Sequence, residues 1–212
     1  SVKLHQESML KKGATKDKLY EHYFNKYNKF SLYQIMNMLL FKDVHDFRKD
    51  VIMDVWKEGR ERYVKECEYL GCDLTKTVLL MDLSASIFNN NHIQNTVGIA
   101  LLISEMTTLN KDYLIINKRN PEFLNFGKDD SIFQKVEKIL NNCCQSSNIY
   151  LDNSLTSSND LLVLSDKEMN EMSGSTNKCD YRIVYWKYES KESQNNSRSY
   201  VLIKKIIEES AL

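Results

Sequence analysis

Three short apolar runs constrain this chain more than anything else in it: TVLLMD at 77–82, DYLIIN at 112–117 and DLLVLSD at 160–166. Each is too short for a helix, and its apolar residues are continuous rather than alternating. That pattern belongs to strands buried on both faces. Between the first two lies HIQNTVGIALLISEMTTL, which reads as a helix apolar on most sides and therefore deeply packed. Between the second and third lies DSIFQKVEKILNN, an amphipathic helix with Ile132, Phe133, Val136, Ile139 and Leu140 on one side. Strand, helix, strand, helix, strand predicts an α/β fold with a mostly parallel central sheet and helices on both faces. YRIVYWKY reads as a fourth strand, SYVLIKKI as a fifth running into a last helix, and PEFLNF as a short edge segment after Pro121.

Upstream of residue 77 the periodicity is helical. KDKLYEHYFNKYNK interleaves charges and aromatics at helical spacing, and Ser31 with Gln34 forms a capping-box pattern ahead of an apolar run. In the segment that follows, Phe47, Val51, Ile52, Val55, Trp56, Tyr63 and Cys67 make one stripe, which Gly71 is placed to end. The expected organisation is a helical segment over 1–72 and an α/β domain over 73–212. NSLTSSND, SGSTNK and ESKESQNNSRS read as loops.

Charge excludes little but shifts the balance. With 29 Lys+Arg against 29 Asp+Glu, the chain has no general pull toward nucleic acid or anionic membrane. Five cysteines at 67, 72, 143, 144 and 179 fit no zinc template and read as reduced thiols. The first ten residues lack a signal-peptide core, and no apolar run reaches the ~18 residues of a membrane span. The expectation is a cytoplasmic protein with no membrane partner. The 12 tyrosines offer surfaces for stacking on RNA bases, but their helical and strand spacing suits core positions better.

The chemistry concentrates where strands end. Asp82 closes the first apolar run, and Ser84 and Ser86 follow at every second position. In an extended loop such residues point the same way, presenting a carboxylate and two hydroxyls to one point. All are hard oxygen donors suited to Mg²⁺. The competing explanation is an ordinary turn or helix N-cap. A second aspartate, Asp166, closes the third run, and in a parallel sheet both lie at the same edge, where α/β proteins bind ligands. His92, just after the motif loop, reads as a capping or surface histidine, and the other three histidines are scattered. Neither a P-loop nor a G-x-S-x-G context is present.

The stretch VLLMDLSAS followed by a helix, with LLVLSDKE further on, resembles a von Willebrand factor A domain with its metal-ion-dependent adhesion site. VGIALLISEMT and YRIVYWKYES bring the resemblance closest to the A-type domains of Ro-autoantigen (TROVE-like) proteins and their viral and plant relatives. It covers about residues 50–212 and implies a von Willebrand A, Rossmann-like sheet. Asp82, Ser84 and Ser86 match the motif's first aspartate and two serines, and Asp166 matches its distal aspartate. Ala85 stands where the family usually has glycine. The family's loop threonine has no threonine counterpart here; Ser147, with Ser146 beside it, is the nearest hydroxyl.

The resemblance implies adhesion rather than turnover: a non-enzymatic module holding Mg²⁺, or Mn²⁺ or Ca²⁺, on Asp82, Ser84, Ser86, Ser147 and Asp166. Its protein ligand would supply an Asp or Glu. An RNA-associated scaffold of the Ro type is the alternative, and a metal-dependent phosphoryl-transfer or hydrolytic enzyme comes third. Replacing Asp82 by Ala is expected to abolish metal-dependent binding at little cost to the fold.

Overall fold

Apolar strands of four and five residues cannot satisfy their backbone alone, so they pair. Here they pair in parallel across long stretches of sequence. The structure, a computed structural model, describes residues 8–9, 13, 15–28, 30, 32–41, 46–69, 73–89, 92–109, 113–117, 121–143, 150–151, 161–165, 173–174 and 183–187. Of the elements with described bounds, α1 (Lys16–Tyr27), α2 (Leu32–Phe41) and α3 (Asp46–Tyr69) come first. Then come β1 (Val78–Met81), a short α4 (Ala85–Asn89), α5 (Ile93–Met106), β2 (Leu114–Ile116), β3 (Glu122–Phe123) and α6 (Ile132–Asn141). The last elements are β4 (Tyr150–Leu151), β5 (Leu161–Ser165), β6 (Ser173–Gly174) and β7 (Ile183–Lys187).

The main sheet has the order β3-β2-β1-β5-β7. Its β2, β1, β5 and β7 run parallel, and β3 is an antiparallel edge beside β2. The fold is therefore α/β with a mostly parallel, mixed sheet, as the strand–helix alternation predicts. Every described residue of β1, β2 and β5 is buried, the physical reason these strands read as unbroken apolar runs. The edge strand β3 follows Pro121 and exposes both its residues, in keeping with a proline-bounded edge. One prediction needs correcting: SGSTNK is not wholly loop, because Ser173 and Gly174 pair with Tyr150 and Leu151 in a small parallel sheet. The predicted fifth strand at 199–206 lies outside the described residues.

α5 buries every residue from Ile93 to Ile103 save Asn95, and packs on β1 and on α2, α3 and α6. Gly98 makes this closeness attainable. A Cβ there would stand 2.9 Å from Leu32 Cγ and 3.1 Å from Met36 Cγ, both on α2. The upstream helices are thus not a separate layer: Leu19, Tyr23, Leu32, Met36, Val51 and Val55 belong to the same apolar cluster as Leu79, Met81, Leu114 and Leu164. The α1 aromatics turn inward, with Tyr23 and Tyr27 buried and their rings 5.7 Å apart. Around the core, Glu105 on α5 bonds Arg60 of α3 at 3.1 Å and also pairs with Lys135 of α6. α6 itself starts with a capping box in which Ser131 and Gln134 each bond the other's backbone N–H. Among the described residues, no helix is long and apolar enough to cross a membrane.

Candidate metal centre

Strand order reverses at β1: the chain goes to β2 on one side and later returns to β5 on the other. In an open α/β sheet this switch leaves a crevice at the carboxyl ends of the two central strands, where no crossover covers them. Asp82 is the first residue after β1, and Ser165 is the last of β5. Their backbones are already joined, with Asp82 N–H donating to Leu164 O at 3.1 Å.

Asp82 is fully buried. Its Oδ1 accepts the Ser84 N–H at 2.9 Å, and its Oδ2 accepts the Ser165 hydroxyl at 2.7 Å. The first bond is the two-residue side-chain-to-backbone turn that short acidic residues favour. The second crosses between strands and involves a residue not singled out in the sequence. A hydroxyl ending an otherwise apolar strand was the available signal, but its partner lies 83 positions away.

Ser84 is buried, and its hydroxyl lies 2.9 Å from that of Ser86. The two serines do converge, but not by alternation along an extended loop. The chain turns at Ser84, whose carbonyl accepts the Ile87 N–H at 3.1 Å, and Ala85 opens α4. The helical turn swings Ser86 back toward Ser84. The turn and helix start raised by the sequence are what the structure shows, and they bring the two hydroxyls together.

Asn117, just past β2, donates its backbone N–H to Met81 O at 3.0 Å and is fully buried. It extends the polar row at this sheet edge, and it carries the same mark as Asp82: a polar residue closing an apolar strand. His92 is buried rather than superficial. It takes the N-cap position of α5 without a side-chain capping bond, and its carbonyl accepts from Thr96 N at 3.0 Å and Thr96 Oγ1 at 3.1 Å.

Of the five predicted ligands, the structure brings together Asp82, Ser84 and Ser86; Ser147 and Asp166 lie outside the described residues. The three that are placed fit a hard cation in two respects. Every donor is oxygen. Neighbouring corners of an octahedron with ligands at roughly 2.1 Å are about 3.0 Å apart, close to the 2.9 Å hydrogen bond between the two hydroxyls. Among the described residues no group of three or more His, Cys, Asp or Glu gathers. Ala85 is exposed and Ser86 half-buried, so this corner of the cluster faces outward while Asp82 and Ser84 lie beneath it. Of the described cysteines, buried Cys67 lies on α3 and exposed Cys143 just past the end of α6. No family model, curated protein or solved structure matches the chain.

Proposed function

We propose that the chain is a metal-dependent protein-binding module of von Willebrand A type. In this reading Asp82, Ser84 and Ser86 hold a divalent cation, with Asp166 and Ser147 completing the set. Mg²⁺ is the resident ion, and Mn²⁺ or Ca²⁺ can replace it. The supporting observation is the pair of hydroxyls 2.9 Å apart over a buried carboxylate at the sheet's switch point. The strand order, with β1 central, supports the fold side of the same reading.

A cation with few carboxylates around it stays under-neutralised and attracts an anionic oxygen. The exposed side of the cluster, at Ala85 and Ser86, is where an Asp or Glu of a protein partner would approach. The function proposed is binding without turnover. The inward-facing tyrosines of α1 give an RNA-scaffold role no added support.

The test is a Mn²⁺ titration followed by electron paramagnetic resonance on the wild-type chain and on Asp82→Asn. One bound Mn²⁺ per chain, lost in the variant, is the expected outcome. A glutamate-containing peptide should then broaden the bound-ion signal. If the wild-type chain leaves all the Mn²⁺ free, or the variant binds as well, the proposal fails.

A further inference from the structure

Serine is an uneconomical choice for position 165. The four residues before it in β5 are Leu, Leu, Val and Leu, all buried, and Ser165 is itself fully buried. A hydroxyl in such a place costs free energy unless it finds a partner. The sheet register provides one. Met81 pairs with Leu164, so the next positions, Asp82 and Ser165, stand side by side on neighbouring strands and on the same face. The Ser165 hydroxyl donates to Asp82 Oδ2 at 2.7 Å.

We propose that Ser165 is a positioning residue of the metal centre, fixing the Asp82 carboxylate for the ion without touching the ion itself. This rests on the cation-binding reading. The carboxylate has two handles from two segments: the Ser84 N–H holds Oδ1 from the loop, and Ser165 holds Oδ2 from the strand across the crevice. A carboxylate held at only one oxygen can swing about its Cβ–Cγ bond; held at both, it keeps one plane. Outer hydrogen bonds of this kind orient metal ligands and tune their charge. One serine thus ties the two strand ends that the ion must join.

The experiment measures Mn²⁺ affinity by paramagnetic resonance for the wild-type chain, Ser165→Ala and Ser165→Thr, with thermal unfolding of each in chelator. Loss of a group one bond removed from the ligands is expected to weaken Mn²⁺ binding about 10- to 100-fold in Ser165→Ala. Ser165→Thr, which keeps the hydroxyl, should recover most of that loss even if its extra methyl lowers the chelator midpoint. Wild-type affinity in Ser165→Ala overturns the proposal. So does equal weakening in both variants in step with their chelator midpoints, since that would mark a packing role alone. The cation-binding reading is judged separately, on the wild-type titration.

Discussion

Truncating Asp82 would strand two donors at once, the Ser84 N–H and the Ser165 hydroxyl, both in a layer sealed from water. The cost of leaving buried donors unpaired is about 1–3 kcal/mol each, less any relief from removing a buried charge. Asp82→Ala is therefore expected to lose at least ~1 kcal/mol of stability in chelator by denaturant unfolding. The sequence alone suggested a nearly free substitution, because it shows the residue but not the donors folded against it. An unchanged midpoint in Asp82→Ala would mean that these bonds contribute nothing net. Ser165 illustrates the same blindness: a serine inside a buried apolar strand shows no partner until the fold supplies one.

At the scale of elements, reading was easiest where a single physical demand set the pattern. Burial on both faces made β1, β2 and β5 continuous apolar runs, and all three stand where the sequence puts them. One-sided burial gave α6 its stripe, though its capping box at Ser131 and Gln134 was not anticipated. The turn into α4 was the harder case. Its local hydrogen bond from Ile87 N–H to Ser84 O competes with extension of the loop, and alternation of serines does not reveal which wins.

Gly98 carries the element-scale prediction. In an open helix Gly→Ala gains about 1 kcal/mol, but here the new methyl meets Leu32 and Met36. Gly98→Ala should instead destabilise, by about 1–3 kcal/mol as in other overpacked cores. Adding Leu32→Ala should make the glycine substitution much less harmful than it is alone. Thermal unfolding of the single and double variants would show this, and a stabilised Gly98→Ala would mean that the α2–α5 contact yields easily.

At the scale of the whole molecule, alkaline pH should act through tyrosine. Burial, with a hydrogen bond to Asp54 and nearby carboxylates, pushes Tyr20 up to about 12 from 10.0. Burial also raises Tyr23 and Tyr27, against the opposing charge of Arg48, and raises Tyr113. In each case the folded state holds its proton more tightly than the unfolded chain. This stabilisation is complete below pH 10 and is lost as pH rises toward 12 and beyond. Denaturant midpoints should fall across that window, and tyrosinate absorbance should develop late and together with unfolding. A flat midpoint, with early tyrosinate absorbance, would argue against it.

The bond from Ser165 to Asp82 closes a loop of 83 positions, so the oxygen cluster is assembled only after much of the polypeptide has been threaded and docked. Closing such a loop is entropically expensive and comes after local helices have formed. A nascent chain that has not yet emerged past β5 holds Asp82 without its cross-strand clamp. On the cation-binding proposal, ion capture at this spot would wait until β5 has docked beside β1.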